Sequence, residues 1–68
     1  MYSYNKLLGA MREKRTTQDE LALTIGMSSA TLRSKLKGAT QFKADEIQRI
    51  MTALDLPMEN VVAYFFTR

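Results

Sequence analysis

Two short helical segments are separated by only three residues, Gly26-Met27-Ser28, and this link restricts the possible folds more than any other part of the sequence. Thr17 is followed three residues later by Glu20, the spacing of a capping box, so a helix is predicted to begin at Gln18. Gly26 is predicted to end that helix, because glycine adopts a left-handed backbone at little cost. Helices joined by so short a link cannot lie antiparallel and are expected to cross at a steep angle.

Helical periodicity continues through the rest of the chain. Apolar residues at positions i, i+3, i+4 and i+7 predict a first helix at about residues 3–14 and a fourth at about residues 44–54. The third helix is predicted to run from Ser29 to a stop at Gly38, and a short fifth helix to follow at about residues 58–63. Nine residues are assigned to the core and to no other role: Leu7, Leu8, Met11, Ile25, Leu32, Leu36, Ile47, Ile50 and Leu54.

Composition limits the classes of function that such a chain can have. The 68 residues include no cysteine and no histidine, which removes disulfides, thiolate metal sites and catalytic triads. We therefore expect one domain over residues 1–68 that is not an enzyme and has no metal site and no cofactor. No apolar run approaches the length of about 20 residues that spans a membrane, and Met1–Lys6 has no signal-peptide character, so we expect no membrane partner and a cytoplasmic location.

The positive charge is concentrated in one part of the chain. Residues 21–44 contain four basic side chains and no acidic one, whereas residues 45–68 carry a net charge of −2. The total for the chain is only +3. This separation suggests a polyanionic partner for one face of the domain.

The third helix has a small polar outer face. With Leu32 and Leu36 turned inward, its outward positions are Ser29, Ala30, Arg33, Ser34 and Lys37. Together with the preceding helix and the short link, residues 18–37 have the layout of a helix-turn-helix, in which the second helix lies in the major groove of DNA.

The stretch from Gln18 to Gly38, QDELALTIGMSSATLRSKLKG, resembles the helix-turn-helix of the phage Cro and lambda-type repressor group, the XRE-like family. The shared marks are the glutamine that opens the second helix, the glycine at the turn and a closing glycine twelve residues later. Phe42, the sequence LDLP and the Phe-Phe tail are similar to those of small phage-encoded regulators. The resemblance covers nearly the whole chain and implies an all-α, five-helix, lambda-repressor-like DNA-binding domain.

The resemblance also implies a set of DNA contacts. Base edges are predicted to be contacted by Ser29, Ala30, Arg33 and Ser34. Phosphates are predicted to be contacted by Thr17, Gln18, Ser28, Thr31, Lys35 and Lys37. Several alternatives stay open: Arg33 could touch only phosphate, Thr31 could pack, and Gln18 and the serines could be solvated helix starts.

Two positions depart from the family pattern. Met11 and Leu36 stand where many members of the group have a buried ion pair, so an apolar contact is expected there. Lys35 stands where the group is usually apolar, and its stem is expected to lie on the core with the ammonium group outward.

The end of the chain is crowded with apolar residues. Five of the six positions from Val61 to Phe66 are large and apolar, too many for a single helical face to turn inward. Residues 61–68 are therefore predicted to form a dimerisation tail, extended so that Phe65 faces the side opposite to Tyr64 and Phe66. These three aromatic residues are the predicted contacts with a second copy. The alternative is that the tail folds back as part of the core.

These features lead to a hypothesis and an alternative. The hypothesis is a Cro-like, phage-type transcriptional repressor, a homodimer in the nucleoid of a bacterial host that occupies a double-stranded DNA operator. We expect no separate dimerisation or ligand-sensing domain, which would favour the constitutive Cro-like type over a cleavable repressor. The alternative is a protein-binding antirepressor or modulator with the same fold, whose main partner is a co-encoded repressor. The short side chains of Ser29 and Ala30 and the modest net charge support this alternative.

Overall fold

The computed structural model describes residues 3–66, which form five α-helices and one short 3-10 turn and contain no strand. The helices are α1 (Asn5–Glu13), α2 (Gln18–Ile25), α3 (Ser29–Leu36), α4 (Ala44–Ala53) and, after the 3-10 turn Met58–Asn60, α5 (Val61–Phe65). The predicted five-helix, all-α fold is confirmed. The main difference is at the end of the chain, where the fifth helix begins later and runs further than the periodicity predicts.

The predicted link between α2 and α3 is present. Gly26 has a φ of 75°, the left-handed conformation that ends α2. Its neighbour Met27 donates a 2.9 Å backbone hydrogen bond back to the carbonyl oxygen of Ala22, which closes the turn. α3 then starts two residues later at Ser29, so that α2 and α3 pack on each other while α2 also packs on α4.

One core joins all five helices. Most of the residues predicted for it are buried, but Leu8 and Leu36 are only half-buried at its edge. Met11 is buried and Leu36 packs against the same cluster, so both apolar side chains lie at the core. The buried apolar side chains are Tyr4, Leu7, Ala10, Met11, Leu21, Ala22, Ile25, Leu32, Ile47, Ile50, Met51, Leu54 and Phe65.

Three aromatic rings attach the end of the chain to the core. The centroid of Phe42 lies 5.3 Å from that of Tyr4 and 5.3 Å from that of Phe65, and both pairs meet edge to face. Tyr4 and Phe65 are 6.3 Å apart. Edge-to-face pairs of this kind each add about 0.5–1.5 kcal/mol beyond the burial of their area. They hold α5 against α1 and against the segment that leads into α4.

Candidate functional site

The start of α2 is closed by its own side chains. The hydroxyl of Thr17 accepts a 3.1 Å hydrogen bond from the backbone N–H of Glu20, and the Glu20 carboxylate accepts one of 3.1 Å from the backbone N–H of Thr17. The capping box predicted from the sequence is therefore present. Gln18, which follows it, is half-buried. The Thr17 hydroxyl already serves the helix, so a phosphate would have to compete with the cap for it.

The start of α3 uses its hydroxyl groups in the same way. The Ser28 oxygen accepts a hydrogen bond from the backbone N–H of Thr31 at 3.1 Å and donates one to the Thr31 hydroxyl at 2.8 Å. Two of the predicted phosphate contacts are thus paired with each other. Four of the outward residues predicted on α3 are exposed, while Ser29 is half-buried; the exposed ones are Ala30, Arg33, Ser34 and Lys37.

The ammonium group of Lys35 does not face solvent, contrary to the prediction. Only 7% of the residue is exposed, and its ammonium group donates hydrogen bonds to Glu46 at 2.9 Å and to the backbone carbonyl of Gln41 at 3.1 Å. The prediction that it clamps phosphate is wrong. The reason is that α4 brings a carboxylate beneath the end of α3, where the stem of the lysine already lies against the core.

Glu46 lies in the first turn of α4 and connects this helix to α3. One of its oxygens accepts both the Lys35 ammonium and, at 2.8 Å, the backbone N–H of Lys43 before α4. Burial alone would raise the pKa of Glu46, but the backbone hydrogen bond from Lys43 and the charge of Lys35 outweigh burial and lower it. Nothing in the periodicity marks this residue as structural. Its spacing of three residues from Lys43 is the only signal that would have found it.

The apolar residues near the end of the chain form a helix, α5, that packs against the core on one side, and not an extended tail. Phe65 is 1% exposed, so it cannot contact a second copy, and the prediction that it does is wrong. Tyr64 is half-buried with the ammonium of Lys6 5.5 Å from its ring centroid. The helical backbone of α5 turns Phe65 inward and leaves Val62 and Phe66 outside. Residues 67 and 68 of the predicted tail lie outside the described residues.

The remaining surface shows where large apolar side chains are left exposed. Leu23 on α2 is 84% exposed and stands alone on that helix. Met58, Val62 and Phe66 are exposed by 49%, 63% and 43%. They lie in the 3-10 turn, in α5 and directly after α5, and their spacing of four residues is typical of one helical face. Within residues 3–66 there is no cluster of three or more metal-ligating side chains, and no helix long and apolar enough to span a membrane.

Comparison with known proteins assigns the family. The sequence matches the family described as "Protein of unknown function (DUF739)" over residues 1–68. The chain belongs to this family. No curated protein matches it.

The chain is also similar to a solved structure, in both sequence and fold. The chain is similar to the modulator of repression (MOR) of the temperate bacteriophage TP901-1 from Lactococcus lactis, with 37% sequence identity and a TM-score of 0.80. The alignment covers 96% of this chain and 88% of that one.

These matches correct the family and the function inferred from the helix-turn-helix. The chain is a DUF739 member and not a member of the Cro or XRE-like group, and its structural neighbour is a modulator of repression and not an operator-binding repressor. The hypothesis of a Cro-like DNA-binding repressor is therefore wrong. The individual base and phosphate contacts were derived from that hypothesis and are not carried forward.

Proposed function

We propose that this chain modulates phage repression by binding a repressor protein. The observation that carries the proposal is its 37% identity, over 96% of its length, to a bacteriophage modulator of repression. The likeness extends over nearly the whole chain and includes the fold, which supports a similar role for the two proteins. We further propose that the role is one of binding without catalysis, since the chain has neither histidine nor cysteine.

The surface of α3 supports a protein partner over an operator. Its first exposed position is Ala30, which offers no hydrogen bond to a base edge. Lys35 is withdrawn into a contact with Glu46, so the exposed basic side chains here are Arg33 on α3 and Lys37 directly after it. Affinity for DNA depends on the number of phosphates that the protein neutralises, and these two cations can neutralise few phosphates.

The C-terminal apolar stripe, formed by Met58, Val62 and Phe66, is the surface that we propose for the repressor. Small soluble proteins rarely leave aligned large apolar side chains in water unless a partner covers them. Aromatic and methionine side chains are also enriched at the centres of protein interfaces. The position of the stripe on the outside of α5 leaves it accessible while Phe65 on the inner side holds the helix in place.

Calorimetric titration with the co-encoded repressor tests the proposal. We expect the native chain to bind and Val62→Ser to bind about tenfold more weakly, because burial of an apolar side chain is lost. Leu23→Ser is the matched control: it removes a still more exposed apolar side chain from a helix outside the stripe and should leave the affinity unchanged. Absence of binding by the native chain would refute the proposal. If Leu23→Ser weakens binding and Val62→Ser does not, the repressor contacts α2 and not the C-terminal apolar stripe.

A mobility-shift assay on the operator separates the two functions considered for the fold. We expect the chain alone to leave the operator fragment unshifted and to change the amount of shifted complex when the repressor is present. A shift produced by the chain alone would contradict the proposal and restore direct DNA binding.

A further inference from the structure

An open cleft of about 420 Å³ lies between the end of α1 and the start of α2. Half-buried Leu8 and buried Met11 supply its apolar lining, and Arg12 and Arg15 add two exposed guanidinium groups. The other residues that line it are Thr16, Thr17 and Gln18. We refer to this surface as the α1–α2 cleft. It combines positive charge with an apolar surface and lies on different helices from the C-terminal apolar stripe.

The two arginines of the cleft have no ion-pair partner among residues 3–66. Glu20 at the start of α2 is held by the backbone N–H of Thr17, 3.1 Å away. A basic side chain near the end of a helix interacts favourably with the helix dipole, which accounts for Arg12 in the last turn of α1. It does not account for Arg15, which lies beyond the helix.

The backbone at Arg15 gives an independent reason to assign it a role. The first four helices end in the same type of turn, each with one left-handed residue: Arg15 (φ 55°), Gly26 (φ 75°), Gly38 (φ 87°) and Asp55 (φ 55°). Glycine adopts this conformation freely and aspartate tolerates it, whereas most other side chains are sterically disfavoured in it. Arginine is thus the least favourable residue among four equivalent positions, and it is the one at the cleft.

We infer that the α1–α2 cleft binds an acidic segment of the repressor. Carboxylates of that segment pair with Arg12 and Arg15, and an apolar side chain between them rests on Leu8. The inference rests on the proposed function, since it names a second contact with the same partner. Guanidinium groups bind carboxylates through two parallel hydrogen bonds, which gives such a contact direction as well as charge. The apolar lining favours a peptide over a nucleic-acid backbone, because phosphates have no apolar surface to bury against it.

The substitution Arg15→Gly makes stability and binding change in opposite directions. Glycine removes the backbone strain at this position and thereby stabilises the fold. Its greater conformational freedom in the unfolded chain offsets part of this gain, so Tm should rise by about 4 °C. Loss of the guanidinium should weaken repressor binding about tenfold in calorimetry at low salt. Asp55→Gly is the matched control, because it changes the equivalent residue at the end of α4. It should raise Tm by less and leave the affinity unchanged.

Chemical-shift mapping of the ¹⁵N-labelled native chain locates the contact. Unlabelled repressor should shift the backbone amides from Arg12 to Gln18, and the affinity should fall as salt is added. If the native chain binds but Arg15→Gly binds equally well, the cleft inference is overturned and the proposed function stands. If the native chain does not bind, both are overturned. If a duplex DNA of random sequence shifts the same amides, the occupant is a nucleic acid and the inference is also overturned.

Discussion

The α2–α3 unit and the C-terminal segment are stabilised by different kinds of contact. In the α2–α3 unit the helix ends are fixed by polar contacts between near neighbours, such as the pairs of Thr17 with Glu20 and Ser28 with Thr31. The C-terminal segment has no side-chain cap at the start of α5 and depends on distant apolar partners, with Phe65 packed against Tyr4 and Phe42. Local polar contacts can be recognised from a few residues of sequence, whereas contacts between the two ends of a chain cannot.

The largest expected loss of stability comes from the inner face of the C-terminal segment, where Phe65 lies. Phe65→Ala should cost about 4 kcal/mol, because it removes a fully buried ring and leaves a cavity between α1 and α4. A domain of this size has a total stability of roughly 3–10 kcal/mol, so the variant should lose a large part of its stability and unfold at a much lower urea concentration than the native chain, as monitored by circular dichroism.

Phe66→Ala, one residue further along, is the control for this experiment. Phe66 is 43% exposed, and its loss should cost less than about 1 kcal/mol. Equal effects of the two substitutions would mean that α5 does not pack as described. If Phe65→Ala stays folded and only converts a dimer to a monomer, residues 61–68 would be a dimerisation tail after all.

The difference between the two regions explains which parts of the fold could be predicted. The start of α2 follows from Thr17 and Glu20, and its end from Gly26, because each signal is contained within four residues. The left-handed turn at Arg15 had no such signal. A turn of this kind is recognised from glycine, and here arginine occupies the position.

The candidate sites were predicted less well than the helices. Helical periodicity showed that Lys35 stands near the core but not that α4 would bring Glu46 within 2.9 Å of it. The density of large apolar residues from Val61 to Phe66 indicated that one helical face could not bury them all, yet it could not show which of them face inward. The DNA-binding function was inferred mainly from the α2–α3 pattern, and a modulator of repression has a similar fold. A shared supersecondary structure predicts a fold and does not identify the partner.

The second prediction concerns the contact between α3 and α4. Lys35→Met should cost about 2 kcal/mol, because Glu46 loses its charged partner and the Gln41 carbonyl loses a donor. Lys37→Met, in an exposed position two residues later, should change the free energy of unfolding by less than about 0.5 kcal/mol. If both variants are equally stable in urea, the contact contributes nothing and Lys35 is available to solvent after all.

The third prediction concerns the local contacts of the α2–α3 unit. Thr17→Ala should cost about 1 kcal/mol, because the N–H of Glu20 loses its cap. Thr24→Ala is the matched control within the same helix: its hydroxyl bonds only the Glu20 carbonyl, 2.9 Å away, and alanine is the better helix former. It should be neutral or slightly stabilising in thermal melts. Reversal of this order would show that caps do not fix the start of α2.

The smallest effect is a pH dependence carried by Glu46. Its pKa in the folded chain lies below the ordinary value of 4.5, because hydrogen bonds from Lys43 and Lys35 outweigh burial. The unfolded chain therefore takes up the proton first as the pH falls. The stabilising contribution of Glu46 is complete above pH 4.5 and is lost as the pH falls through 4.5 toward the folded value.

Glu46→Gln isolates this contribution from those of the other carboxylates. The amide oxygen can still accept the N–H of Lys43, but the charge opposite Lys35 is gone. At pH 7 the variant should be less stable than the native chain by about 1 kcal/mol, and this gap should narrow as the pH falls below 4.5. Asp45→Asn is the control, since Asp45 is exposed and its contact with Arg49 is long, at 3.7 Å. A gap for Glu46→Gln that stays constant from pH 7 to pH 3 would mean that the carboxylate acts only as a hydrogen-bond acceptor. The contact between α3 and α4 would then be independent of its charge.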